Sequence, residues 1–299
     1  MAEGKPFTSR RPSQPGPPSN AGPGRTTAPN GPSRGERGTE ATGSRPPQLR
    51  AKPNATPDDL AFGVNACAWA LAAGAARSLL YWGETRNARV LELVERAGAA
   101  GIPVQAVEPL RLEQLCGEGV HQGVLVRLRE LETADLGARA ALPGPGLVIL
   151  LDQITDPQNA GAVLRTAVAV DVRAIVIPRR RGAQLTPGVH RASAGLSFIA
   201  PVAAPQNLAL AVAELKDHGF WVVAADAGPG SVDATSFDWP QKTALILGSE
   251  GEGVSHLLLR ESDFRVRLPM DPRVESLNVG VACGALSYLW RRQWPSVTS

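Results

Sequence analysis

The chain has 299 residues, with 31 Lys+Arg against 28 Asp+Glu, a formal charge of +3 and a pI near 9.0. That length suits one large domain or two ordinary ones, and 43% apolar residues exclude wholesale disorder. No apolar run is long enough for a membrane-spanning helix, so a membrane span is excluded.

The charge is unevenly placed. Residues 1–57 hold nine Lys/Arg, from Lys5 to Lys52, against Glu3, Glu36 and Glu40, which leaves +6 there and −3 on residues 58–299. The stretch is crowded with Pro, Gly, Ser and Thr, and Met1 aside its only large apolar residues are Phe7 and Leu49. Such a segment buries too little surface to offset its ordering entropy, so 1–57 is expected to be a disordered basic tail with at most a weak attraction to polyanions. It lacks the apolar stretch of a secretory signal, while an Arg/Ser-rich, acid-poor start leaves an organelle transit peptide open.

After Pro57 the composition turns Ala/Leu/Val-rich and periodic. Asp58–Ala76 reads as a helix, Ser78–Trp82 as a strand, and Ala88–Ala97 as an amphipathic helix ended by Gly98 and Gly101. Ile102–Val107 reads as a strand, Leu110–Leu115 as a short helix and Val124–Leu128 as a strand, so 58–130 forms a small α/β domain. The polar, then Ala/Gly/Pro-rich stretch 131–146 reads as a linker.

A second α/β domain spans 147–299. Leu147–Leu151 is a continuous apolar run, the mark of a strand covered on both faces. A helix to about Val170 and a strand Arg173–Ile177 follow, then a loop with Arg179, Arg180 and Arg181. Helical turns fall at Val189–Ala194 and Leu208–His218, and strands at Trp221–Ala225 and Ala244–Leu247. Helix Val254–Leu259, strand Phe264–Leu268 and a last helix from about Leu277 to Gln293 complete the alternation of a mostly parallel sheet.

Cys67, Cys116 and Cys283 are odd in number and far apart, which fits a reducing cytoplasm better than disulfides or zinc. His121, His190, His218 and His256 form no ligand spacing either, so no metal is expected.

Three segments carry chemistry. In Asp156-Pro157-Gln158-Asn159-Ala160-Gly161-Ala162-Val163-Leu164-Arg165-Thr166-Ala167, Asp156 and Pro157 start a helix at the C-terminal end of a strand, where open α/β sheets place ligands. Arg165 is anomalous in that apolar helix, and Gly161 one turn earlier is expected to leave it room. In Gly248-Ser249-Glu250-Gly251-Glu252-Gly253 the G-x-x-G-x-G spacing differs from a dinucleotide loop, and two glutamates suit a ligand with hydroxyls, an amine or positive charge. In Leu268-Pro269-Met270 followed by Glu275-Ser276-Leu277-Asn278, Ser276 is a ready helix cap and Asn278 falls in the first turn.

The ordered triple resembles the SpoU/TrmH family of RNA ribose 2′-O-methyltransferases, within the SPOUT superfamily. Asn159, Gly161, Arg165, Thr166 and Ala167 match its first motif, Gly248, Glu250, Gly251 and Gly253 its second, and Leu268-Pro269-Met270 with Ser276-Leu277-Asn278 its third. Phe62-Gly63-Val64 and Val120-His121-Gln122-Gly123 are similar to the family's N-terminal substrate-binding domain, so the resemblance spans about 59–293.

The resemblance implies a C-terminal α/β trefoil-knot methyltransferase domain behind a small ribosomal-protein-like α/β domain. It implies S-adenosylmethionine as cofactor, at Gly248, Leu268, Met270 and Leu277, and a homodimer. It implies methyl transfer to a ribose 2′-hydroxyl of RNA, most like a guanosine of 23S rRNA; a tRNA ribose or a catalytically silent assembly factor are the alternatives. Arg165 is expected to stabilise the developing alkoxide and position a phosphate, since an always-protonated guanidinium makes a poor base. Asn159, Ser276 and Asn278 are expected to hold the nucleotide and Arg165 in place, with Glu250 orienting Arg165 or the glycine loop. Two residues depart from the family pattern: Gly280 replaces a serine, and Glu275 adds an acid before Ser276.

Overall fold

The computed structural model of the protein describes residues 58–117, 119–180 and 182–295, all within one compact unit. The tail 1–57 and Arg181 of the arginine loop lie outside the described residues. In chain order the first part contains β1 (Leu60–Phe62), α1 (Val64–Ala72), β2 (Ala76–Trp82), α2 (Ala88–Ala99), β3 (Val104–Val107), α3 (Pro109–Cys116) and β4 (Val124–Leu128).

These strands form a four-stranded sheet in the order β1-β4-β2-β3, antiparallel except for the parallel β2–β3 pair. Helices α1 and α2 cover one face, where Val64, Cys67, Val90 and Leu93 pack on Leu79, Val124 and Val126. Helix α3 covers the other, with Leu112 and Cys116 against Phe62, Leu80 and Leu125.

The expected helix over 58–76 is corrected. Leu60–Phe62 is a strand paired with β4, and a helix begins only after Gly63 at φ 86. All three strand residues are buried, so ladder pairing and burial on both faces outweigh their helical propensity. A side chain at Gly63 would be strained at that φ and would crowd the Gln122 side chain at 3.3 Å.

Next come α4 (Leu136–Ala140), β5 (Gly146–Leu151), α5 (Pro157–Ala169), β6 (Ala174–Val176), α6 (Pro187–Ala192) and a 3-10 turn at Leu196–Phe198. They are followed by β7 (Val202–Ala203), α7 (Leu208–Asp217), β8 (Trp221–Ala225), β9 (Val232–Asp233), β10 (Lys242–Leu247), α8 (His256–Glu261), β11 (Phe264–Arg267) and α9 (Val279–Gln293). The sheet is wholly parallel, in the order β7-β6-β5-β10-β8-β11-β9.

The apolar run in β5 is explained by its two covered faces. Leu147, Ile149 and Leu151 join the core beneath α5 and α9, while Val148 and Leu150 join the core beneath α4, α7 and α8. The two-residue strands β7 and β9 escape the sequence pattern because they are too short to show a period.

The 131–146 stretch, expected as a linker, contains α4 and is pinned. The Arg173 guanidinium donates to the carbonyls of Ala140, Leu142, Pro143, Gly144 and Pro145. Burial lowers the Arg173 pKa, with Arg139 adding to the effect.

The two sheets meet through α6 and the turn after it. Gly195 has φ 86, and a Cβ there would lie 2.8 Å from the Asn65 carbonyl and 2.9 Å from Ala66 Cα. The close approach therefore excludes a side chain at this position. Arg191 stands over the Phe62 ring at 5.9 Å.

Candidate active site

Neighbouring strands β10, β8 and β11 end on one edge of the parallel sheet, and the loops they feed build a cleft of about 330 Å³. Its walls are Ala225–Gly228 after β8, Leu247–Gly253 after β10, and Val266–Leu268, Met270 and Glu275–Leu277 after β11. All four residues expected at the cofactor, Gly248, Leu268, Met270 and Leu277, line it, as do Glu250 and Ser276.

The glycine loop folds back on itself. The Gly253 amide donates to the Ser249 carbonyl at 3.0 Å, and a Cβ on Gly248 would lie 2.0 Å from Gly253 carbonyl carbon. Only glycine fits position 248. Buried Asp152, at the end of β5, accepts from the Ser255 amide at 2.7 Å and ties the loop's far end to the sheet.

Asn159, Glu250 and Asn278, one from each motif, converge at the rim. Glu250 Oε1 accepts from Asn159 Nδ2 at 3.1 Å and from Asn278 Nδ2 at 2.9 Å. Asn278 Nδ2 also approaches Asn159 Oδ1 at 2.8 Å. Each asparagine is held by its own backbone. Asp156 caps α5 by accepting from the Asn159 amide at 2.9 Å, and Asn278 caps α9 by accepting from Gly280 at 2.9 Å.

Two expectations change here, those for Ser276 and Gly161, while Glu250 and Arg165 gain a setting. Ser276 does not cap the last helix, because α9 starts at Val279 and Asn278 takes that place. Glu250 bonds the two asparagines, and among the described residues it makes no ion pair with Arg165. Arg165 is exposed on α5 and does not line the cleft, and among the described residues no acid is paired with it. Gly161 does not make room for Arg165: a Cβ there would meet Ala192 Cβ at 2.3 Å and the Ser193 amide at 2.8 Å, so the glycine lets α6 approach α5.

Gly280 has a parallel explanation. A Cβ there would lie 2.7 Å from Ala162 Cβ, so its lack of a side chain permits the α5–α9 crossing. The sequence reading missed Asp226 and Arg267 in the cleft. Asp226 follows an apolar strand, and its position at that strand's C-terminal end is the signal that could have found it.

The cleft suits a ligand that is part apolar and part cationic. Leu268, Leu277, Val279 and Leu286 offer apolar surface, while Asp226, Glu250, Glu252 and Glu275 outnumber Arg267. Among the described residues, no group of three or more His, Cys, Asp or Glu could hold a metal ion.

Sequence comparison agrees with this geometry. A model of the SpoU rRNA Methylase family matches residues 146–288, and one for RNA 2'-O ribose methyltransferase substrate binding matches residues 60–134. A putative TrmH family tRNA/rRNA methyltransferase, YacO of Bacillus subtilis, is 38% identical over 216 residues, covering 71% of this chain and 86% of its own. The chain belongs to the SpoU/TrmH methyltransferase family.

A 23S rRNA (guanosine-2'-O-)-methyltransferase, RlmB of Coxiella burnetii, is 35% identical over 238 residues, covering 78% of this chain and 94% of its own. Among solved structures, the SpoU methyltransferase AviRb from Streptomyces viridochromogenes in complex with AdoMet matches with a TM-score of 0.67 and 25% identity. That match covers 79% of this chain and 90% of AviRb. As a SpoU/TrmH member the protein is an RNA ribose 2′-O-methyltransferase with a substrate-binding domain ahead of a parallel α/β domain.

Proposed function

We propose that the protein transfers the methyl group of S-adenosylmethionine to the ribose 2′-hydroxyl of a guanosine in 23S rRNA. The observation that carries this reading is the Asn159–Glu250–Asn278 contact at the rim of the cleft lined by Gly248, Leu268, Met270 and Leu277. The guanosine and the 23S rRNA are supported by RlmB of Coxiella burnetii, with 94% of that protein covered.

The bound cofactor supplies an electrophilic methyl on a sulfonium. Leu268 and Leu277 present apolar surface for a purine, and Met270 lies between them in the chain. Asp226, Glu252 and Glu275 are placed to receive hydroxyls, an amine and positive charge. Glu250 holds the Asn159 and Asn278 amides, which present the nucleotide together with Ser276. Arg165 stabilises charge developing on the 2′-oxygen and holds the adjoining phosphate. Its exposure beside the α5–α9 crossing leaves it open to RNA or to a second subunit.

That second subunit is a further copy of this chain. Val281 and Tyr288, two turns apart on α9, are 58% and 56% exposed and form an apolar face next to the site. Cytoplasmic residence is supported by three buried cysteines, none of them in a disulfide among the described residues. Burial raises Cys67, holds Cys116 at about 11 and Cys283 at about 12, so none is a nucleophile at neutral pH.

A ribose-methylation map of total RNA with and without the gene tests the reading. Loss of one 2′-O-methylguanosine in 23S rRNA is the expected result. Loss confined to tRNA overturns the rRNA assignment.

A further inference from the structure

The smaller sheet carries a concavity that the methyl-transfer site does not use. Trp82, the last residue of β2, is 37% exposed, and with Thr85, Arg86, Asn87 and His121 it lines an open hollow of about 630 Å³.

The far wall of the hollow is built rigidly. Gln122 takes φ 53 without being glycine, and the strain is held because its Oε1 accepts from the Val64 amide at 2.9 Å. His121 Nδ1 accepts from the Gly123 amide at 3.0 Å, which fixes the ring and leaves its N–H at Nε2. Strain held in this way by its surroundings is typical of ligand clamps.

The chemistry is that of an unpaired base. An indole face can stack on any nucleobase, an Nε2–H and the Asn87 amide can read a base edge, and Arg86 can take the adjoining phosphate. Paired bases in a duplex offer neither a free face nor a free edge, so the hollow favours single-stranded RNA over a helix.

The hollow is also mechanically joined to the reaction centre. Gln122 grips Val64, the next residue Asn65 lies against Gly195, and the same α6 segment packs Ala192 and Ser193 against Gly161 of α5, the helix bearing Asn159 and Arg165. A nucleotide captured there sets the register of the RNA relative to α5.

We propose that this hollow captures one unstacked nucleobase of the RNA substrate, with Trp82 as the stacking platform and His121 and Asn87 as readers of the base edge. The proposal rests on the ribose-methyltransferase reading above.

The test uses the full chain and its Trp82→Ala, Trp82→Phe and His121→Ala variants. The probes are total 23S rRNA, a single-stranded RNA carrying 2-aminopurine, and the matching duplex. Trp82→Ala is expected to weaken single-strand binding about 5- to 100-fold, the range of one lost base stack. It should abolish quenching of the 2-aminopurine and raise the KM for rRNA more than it lowers kcat. Trp82→Phe is expected to recover most of the affinity, and His121→Ala to weaken it with the fold intact by thermal melting. Unchanged RNA affinity and KM in both alanine variants, in a preparation whose wild type methylates RNA, overturns the base pocket alone. A wild type that binds S-adenosylmethionine but neither binds nor methylates RNA overturns the parent reading and this proposal with it.

Discussion

Restoring the family's serine at position 280 is the sharpest test of how α5 and α9 are fitted together. A Cβ at Gly280 would lie 2.7 Å from Ala162 Cβ, against an ordinary carbon–carbon contact of about 3.5–4.0 Å. The shortfall is roughly 1 Å in a helix–helix crossing, and overpacking of that kind costs about 1–3 kcal/mol. Replacing a helical glycine returns roughly 0.5 kcal/mol of propensity. Gly280→Ser is therefore expected to destabilise the protein by about 0.5–2.5 kcal/mol, or about 1–10 °C in Tm for a domain of this size. Ala162→Gly removes the opposing methyl at a cost of about 1 kcal/mol in its own helix. The double variant should then show a favourable coupling of about 1 kcal/mol or more in urea or thermal unfolding. The same Cβ would sit 3.1 Å from Asn278 Oδ1, so methyl transfer is expected to fall in Gly280→Ser and to recover less completely than stability in the double variant. A Gly280→Ser protein as stable as wild type, or two substitutions that simply add, refutes the packing argument.

Other predictions follow from the site and the core. Glu250→Ala removes the acceptor of two asparagine amides, worth about 0.5–1.5 kcal/mol each, and should weaken S-adenosylmethionine binding about 5- to 100-fold by calorimetry. Wild-type affinity would show that the contact does not order the glycine loop. Arg165→Ala is expected to lower the single-turnover methylation rate by 100-fold or more, while cofactor affinity stays within about 2-fold. A wild-type rate removes Arg165 from the mechanism. His190 is fully buried, and burial lowers its pKa from 6.5 to about 4, with the Leu185 carbonyl partly offsetting. Between those values the unfolded chain binds a proton that the folded protein refuses, so stability is complete above pH 6.5 and falls as pH drops, by at most about 3 kcal/mol. His190→Gln should flatten the decline between pH 6.5 and 4 in thermal melts, and an unchanged slope assigns it to other groups.

The readability of the fold followed burial geometry. β5 was legible because both faces are covered, so every position is apolar, and α2 because Val90, Leu93 and Ala97 keep one helical face buried. β1 was not, since Leu60-Ala61-Phe62 carries no alternation and its partner β4 is more than sixty residues away. The fixing of 140–145 was hidden for a related reason. Five carbonyls there find their donor in Arg173, a residue that by itself reads as an ordinary charge beside a strand. Glycines were legible as needed but not in purpose: Gly161 and Gly280 both admit a neighbouring helix or its flanking residues, and only the fold says which.

The site shows the same division between type and partner. Asn159, Glu250 and Asn278 stood out as polar residues at strand ends and helix starts, yet nothing local says that one carboxylate oxygen serves both amides. That arrangement has a consequence for the reaction. Glu250 is committed to the two asparagines and Asn278 to the first turn of α9, so these side chains present fixed donors and acceptors. Arg165 is outside the network and exposed, and in the proposed mechanism it responds to the developing alkoxide. Its helix is gripped by α9 at Ala162 and by α6 at Gly161, so a rigid backbone carries a side chain with freedom to reach substrate. The proposed mechanism thus divides positioning from charge stabilisation between separate residues. That division is why Glu250→Ala should act first on binding and Arg165→Ala on rate.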